Sequence, residues 1–165
     1  MSSRVEASLL DKPLPEVILR RIRDGIETID THTLFEGRKV VLFAVPGAFT
    51  PTCSGRHLPG YIEHFEQFRQ RGIDVFCIAV NDPFVMHAWG VSQSVPHGLQ
   101  MLSDGNGDLS RALGLEMDAS SSSMGMRSRR FALYLHDGIV RAAFIEQPGQ
   151  FEVSSAEYVL AHLPH

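Results

Sequence analysis

The chain has 165 residues, 44% of them hydrophobic and 21% charged, with a formal net charge of −4. That balance suits one soluble globular domain spanning residues 1–165 and argues against a nucleic-acid partner, which would select a basic surface. No apolar run approaches the roughly 18 residues of a membrane span, and residues 1–15 lack a secretion-signal pattern, so cytoplasmic residence with no membrane partner is expected.

In chain order, Val17 to Arg21 reads as an early strand, and Thr28 to Glu36 as a strand end followed by a short helical turn. Lys39 to Val45 (KVVLFAV) and Asp74 to Val80 (DVFCIAV) are continuous apolar runs, the pattern of strands buried on both faces of a sheet. Between them Leu58, Ile62, Phe65 and Phe68 recur at helical spacing, with Gly72 as a stop signal. This is a strand–helix–strand unit, which predicts two parallel strands joined by a right-handed crossover. Pro59 should kink that helix or start a second segment as its first residue.

Asp82-Pro83 predicts an N-cap and first helical residue for a helix to about Val91. Leu99 to Leu102 follows as a short strand, and Asp108 to Leu113 as a helix closed by Gly114. Asp118 to Ser128, with its serine run, reads as a polar loop. Phe131 to Leu135 and Ile139 to Ile145 flank His136-Asp137-Gly138, a tight hairpin signal. Ser154 should cap a last helix through His162, with Glu157 completing a capping box. The order gives an α/β protein with a mixed central sheet flanked by helices; a thioredoxin-like fold fits it, and so do other α/β sandwiches.

Cys53 and Cys77 are too few for a disulfide scaffold, and the histidines show no zinc-type spacing, so neither a metal site nor a cofactor is expected. The segment Pro46 to Ser54 (PGAFTPTCS) runs from a buried strand into a helix. With Thr50 as N-cap and Pro51 as first helical residue, Cys53 falls in the first turn, where amide groups and the helix dipole favour its thiolate. The Thr50 hydroxyl would bond either the sulfur or a bound oxygen, and Pro46 would close the loop over the site. From placement alone Cys53 reads equally as an inert buried thiol, and Pro46 as a plain loop former.

Pro46, Thr50 and Cys53 match the Pro-x-x-x-Thr-x-x-Cys motif of peroxiredoxins. The surrounding VPGAFTPTCSGRHLPGY, together with VNDPFVMHAWG at Val80 to Gly90 and RRFALYLHDGIVRAAFIE at Arg129 to Glu146, resembles the type II branch of that family. The resemblance extends from about Leu14 to the end of the chain. It implies a thioredoxin-like fold and reduction of hydrogen peroxide and organic hydroperoxides, with Cys53 oxidised to a sulfenic acid. It also implies that Thr50 and the Cys53 backbone N–H orient the peroxide, and that Arg130 stabilises the thiolate and the leaving oxygen. Arg127 and Arg129 are nearby, and the alignment on Phe131 selects Arg130.

Cys77 reads as a core cysteine by pattern. Plant-type members carry a resolving cysteine at its position, whereas animal-type members place theirs near the C-terminal helix, where this chain has Ser154 and Ser155. Two routes remain: an intramolecular disulfide with Cys77, which a buried strand position would permit only on local unfolding, and regeneration by an external thiol (glutathione with glutaredoxin, or thioredoxin), the route expected here with Cys77 optional. Many type II members pair through loops beside the active site, so a homodimer is expected as well. Trp89 and Phe84 should pack the helix after Asp82, and core packing is the expected role of Phe43, Phe49 and Phe84. His57 and His64, seven apart on one helix face, read as solvated or locally bonded. A dithiol oxidoreductase is disfavoured because Arg56 stands three after Cys53, where a second cysteine would be needed. A Cys53 hydrolase lacks an identifiable partner histidine. The alternative outside catalysis is a peroxide sensor or redox relay that passes oxidation to a partner protein.

Overall fold

The computed structural model describes residues 3–164. The chain begins with α1 (Ser3–Leu9), β1 (Ile18–Ile22), β2 (Ile26–Asp30), α2 (Thr31–Phe35) and β3 (Lys39–Ala44). A π-type turn (Cys53–His57) leads into α3 (Leu58–Glu63), α4 (Phe65–Gln70) and β4 (Ile73–Ala79). Then come α5 (Pro83–Ser92), β5 (Leu99–Ser103), α6 (Asp108–Ala112), β6 (Glu116–Asp118) and β7 (Met126–Ser128). The hairpin β8 (Phe131–His136) and β9 (Ile139–Ile145) precedes the last helix, α7 (Ala156–His162).

Seven strands form one mixed sheet in the order β2-β1-β5-β4-β3-β8-β9. The two apolar runs are neighbours at its centre, parallel as expected, with Phe43 opposite Cys77. Alternation along them feeds two cores. Val41, Phe43, Val75 and Cys77 face the layer holding Cys53, Leu58, Tyr61, Phe68, Trp89 and Val159. Val40, Leu42, Phe76 and Ile78 face the layer holding Leu34, Phe35, Leu109 and Leu113. With both faces covered, a strand has no solvent side, which is why these segments are apolar throughout.

Local signals hold where one residue type has one mechanical role. The Asp82 carboxylate accepts from the Val85 N–H at 2.9 Å, and Pro83 opens α5. Asp137 and Gly138 turn the β8–β9 hairpin at φ 54° and 75°, the paired positive angles of a type I′ turn. Three expectations change. The final helix is capped by Ser155, whose hydroxyl accepts from the Tyr158 N–H at 3.2 Å, because Ser154 is buried and bonds Glu146 instead. Glu157 accordingly makes no capping box and meets His64 at 3.3 Å. The segment from Asp118 to Ser128 is not loop throughout, since its ends belong to the two-stranded ladder of β6 and β7.

The helix between β3 and β4 is also divided. Pro59 has no N–H, and its ring would collide with the carbonyl four residues back, so a regular helix cannot run through it. The chain widens upstream, where the Leu58 N–H bonds the Cys53 carbonyl, and Pro59 then sits in the first turn of α3. A second break at His64, with φ −99° and ψ 8°, separates α3 from α4.

Candidate active site

The sheet order brings the candidate residues together. β3 runs antiparallel to β8, and Ala44 pairs with Phe131, so the Pro46 loop leaves the sheet beside Arg130. β4 ends at the same margin, where the Asn81 amide oxygen accepts from the Ala48 N–H at 2.9 Å and ties down the loop. The loop is tightly fitted as well. A Cβ on Gly47 would lie 3.0 Å from the Met124 methyl and 3.1 Å from Arg127 Nη1. Phe49 holds φ at 63°, an uncommon value for a bulky residue.

Pro51 begins the helical turn and Cys53 lies within it, as the sequence predicts. Thr50 differs in one respect: its hydroxyl does not cap the turn but donates to the Gly47 carbonyl at 2.6 Å. That orientation leaves the lone pairs of Oγ1 to accept a further hydrogen bond. The Cys53 side chain is fully buried, and its Sγ lies 3.3 Å from Arg130 Nη2.

Three arginines compete for that role in the sequence, and geometry separates them. Arg127 donates to the Met124 carbonyl at 2.8 Å and to the Pro46 carbonyl at 3.4 Å. Arg129 donates to the Glu146 carbonyl at 2.7 Å, and its Nε is buried without a partner. Among the described residues Arg130 is the arginine that reaches the sulfur.

Arg130 is itself held by His57, which the sequence left among ordinary histidines. Far from being solvated, the His57 ring is fully buried, with Nδ1 2.8 Å from Arg130 Nη1 and Nε2 3.1 Å from the Ser154 carbonyl. A guanidinium only donates and a carbonyl only accepts, so the ring carries its proton on Nε2. Burial foremost, with the charge of Arg130, pushes its pKa down to about 3, against the opposing pull of the Ser154 carbonyl. His57 is therefore neutral and already hydrogen-bonded at both nitrogens, a poor general base for Cys53. His64, by contrast, leaves this environment altogether at the α3–α4 break.

Other contributors were invisible by pattern. Phe151 lies over the His57 ring at 4.9 Å between centroids and over the guanidinium carbons of Arg56 and Arg130 at 4.8 and 5.7 Å. Trp89 is buried, as expected, and its Nε1 donates to Ser54 Oγ at 2.9 Å, directly beside Cys53. A histidine four residues after the cysteine was the one available clue to His57. Phe151 and Trp89 carried none, because their contacts cross the fold.

Two further placements bear on earlier expectations. Cys77 is buried on the central strand, and burial first, then the charge of Cys53, pushes its thiol pKa well up. Phe43 is core and stacks on Tyr61 at 3.9 Å, but Phe49 and Phe84 do not pack inside; they are 56% and 62% exposed. A cleft of about 690 Å³ opens over the site, lined by Pro46, Thr52, Arg56, Arg130 and Phe151 among others.

A cysteine in a first helical turn, its sulfur under a guanidinium on a mixed sheet, defines a thiol-based redox protein of thioredoxin-like fold. The Redoxin family model matches residues 10–160. Peroxiredoxin-2B of Arabidopsis thaliana is 48% identical over 85% of this chain and 87% of its own. Reduced Prx3 of Vibrio vulnificus, solved in complex with hydrogen peroxide, superposes with a TM-score of 0.88 at 45% identity, covering 92% and 96% of the two chains. Peroxiredoxin 5 of Alvinella pompejana gives 0.81 at 35% identity, covering 92% and 95%. The chain belongs to the peroxiredoxin family, in its type II branch. It is a peroxidase that reduces peroxides at the expense of a thiol, and among the described residues no helix is long and apolar enough to cross a membrane.

Proposed function

We propose that Cys53 is the peroxidatic residue, that Arg130, Thr50 and Pro46 form the rest of its catalytic site, and that an external thiol regenerates it. The observation that carries this reading is the 3.3 Å approach of Arg130 Nη2 to Sγ. A guanidinium at that distance donates to the sulfur and stays in place for the charge that moves onto the leaving oxygen. The thiolate attacks one peroxide oxygen. The S–O bond forms as the O–O bond breaks, and the departing alkoxide or hydroxide takes a proton. Thr50, its proton engaged by Gly47, accepts from the peroxide O–H, and the Cys53 N–H helps orient the same oxygen. Pro46, closing the loop above, restricts water.

The resulting sulfenic acid is attacked by a thiol, which forms a mixed disulfide and releases water; a second thiol then frees Cys53. Glutathione with glutaredoxin, or thioredoxin, fits this route. The burial of Cys77 on the central strand favours it over an internal disulfide, since Cys77 would need local unfolding to take part. Residues 1–165 act as a single domain in the cytoplasm. Exposed Phe49, on the Pro46 loop, and exposed Phe84, in the first turn of α5, lie on segments tied by the Ala48–Asn81 hydrogen bond and support a homodimer formed beside the site.

The test is intact mass after a small excess of hydrogen peroxide, for wild type, Cys53→Ser and Cys77→Ser. Oxygen gained on Cys53, alike in wild type and Cys77→Ser, is the expected result. Loss of two hydrogens in wild type alone would transfer resolution to Cys77. No fast change at Cys53 would overturn the assignment. Steady turnover with a thiol separates a peroxidase from a sensor that is oxidised once.

A further inference from the structure

We infer that the cleft above Cys53 binds a carboxylate-bearing reactant, anchored by Arg56 and Arg129. The inference rests on the reading of Cys53 as the reacting thiol and names the chemistry of what reaches it.

Charge is the first observation. Arg21, Arg38, Arg69, Arg111 and Arg141 each have a carboxylate within 4.0 Å. Among the described residues Arg56, Arg129 and Arg130, which all line the cleft, form no such pair. Two carboxylates share those walls, but neither pairs directly with these arginines. Glu116 turns to Arg111 at 3.5 Å. Glu146 Oε2 accepts from the Glu152 N–H at 2.8 Å, the Ser154 N–H at 2.8 Å and the Ser154 hydroxyl at 2.6 Å. Arg56 and Arg129 thus lack a carboxylate partner in a cleft of a protein that is acidic as a whole, at −4.

The arginines also differ in what remains to them. Arg130 is committed to Cys53 and His57. Arg129 meets only the neutral Glu146 carbonyl, and Arg56 only the face of Phe151 at 4.8 Å. Both guanidinium groups keep donors for a carboxylate, which they match in planar geometry. Size is the second observation. A volume of about 690 Å³ exceeds what hydrogen peroxide needs and falls within the range of small-molecule sites. Phe151, Met117 and Pro148 supply apolar wall for a short carbon chain between the charged end and the reacting end.

Two reactants of the cycle fit. A carboxylated hydroperoxide would give Cys53 sulfenic acid and the corresponding alcohol. A carboxylated thiol would attack that sulfenic acid to give a mixed disulfide and water. Arg56→Gln, Arg129→Gln and Arg56→Lys test the site with two matched pairs: a hydroperoxide with and without a terminal carboxylate, and 3-mercaptopropionate against 2-mercaptoethanol. The ratio of charged to neutral kcat/KM should fall roughly three- to ten-fold in the glutamine variants, recover in Arg56→Lys, and shrink with added salt. A fall in the peroxide pair alone assigns the cleft to the oxidising substrate; a fall in the thiol pair alone assigns it to the reductant. Unchanged ratios in both pairs overturn the inference. Hexanoate, which cannot react, keeps the question separate from turnover. Titration calorimetry should give saturable binding that weakens in Arg56→Gln, and equal or absent binding in both proteins overturns the site even if Cys53 proves not to be the reacting thiol.

Discussion

Arg130 and His57 are joined by a 2.8 Å hydrogen bond in which the histidine ring is the acceptor. The bond orients the guanidinium, so the sulfur is addressed by a donor whose other nitrogen is already fixed. Arg130→Lys keeps the charge but cannot span both partners. Its second-order rate with hydrogen peroxide, followed by stopped flow, should fall about 10²- to 10³-fold. His57→Gln, acting only through Arg130, should cost roughly ten-fold at saturating thiol. A rate unchanged in His57→Gln would mean that the arginine needs no such support.

The same ring gives stability a pH dependence. His57 takes up a proton near 6.5 when unfolded but only at about 3 when folded. Between those values the unfolded chain binds more protons, so stability is complete above about 6.5 and is lost as pH falls toward 3, by up to about 5 kcal/mol. Urea midpoints at pH 7, 6, 5 and 4 should drop accordingly, and His57→Gln, which cannot titrate, should flatten that drop.

Glu146 gathers the chain beyond β9 by accepting two backbone N–H groups and a hydroxyl through one oxygen. Glu146→Ala strips all three donors of their partner and should cost about 2–4 kcal/mol in urea unfolding. Because Ser154 also presents its carbonyl to His57 and Tyr61, the loss should reach the site and slow peroxide reduction. A variant with lowered stability but unaltered rate would separate the two effects.

Trp89 is the protein's one tryptophan, and its indole N–H bonds the residue next to Cys53. Oxidation at Cys53 should therefore change the emission. Ser54→Ala removes the acceptor, should destabilise by about 1–2 kcal/mol, and should reduce the fluorescence amplitude on peroxide addition. An amplitude that persists would place the signal elsewhere in the fold.

What the sequence disclosed follows from how locally each feature is determined. The apolar runs of β3 and β4, the Asp82-Pro83 cap and the Asp137-Gly138 turn depend on a few adjacent residues, and they stand where they were read. The resemblance singled out Cys53 and Arg130, which lie in contact, because it carries spatial information that periodicity lacks. His57 could not be recognised as buried, because its surroundings come from the approach to β8 and from Phe151. The choice between Ser154 and Ser155 turned on Glu146, a partner outside the local segment. Phe49 and Phe84 looked like core by side chain and are exposed, because the loop holding Phe49 and the first turn of α5 holding Phe84 lie at the end of the sheet.

Residues 11–14 follow the outer side of β9. The Asp11 N–H bonds the Val140 carbonyl, the Val140 N–H bonds the Lys12 carbonyl, and the Leu14 N–H bonds the Gly138 carbonyl. Pro13, bridged to Ile139, has no N–H to offer a further strand. The opposite margin is β2, only five residues long and bearing Glu27 and Asp30. Short, charged margins and a proline clasp are both deterrents to intermolecular strand addition. Peeling the clasp away would leave β9 paired only with β8 and bare its outer edge at Ile139 and Val140, opening a place for a strand of another molecule to add.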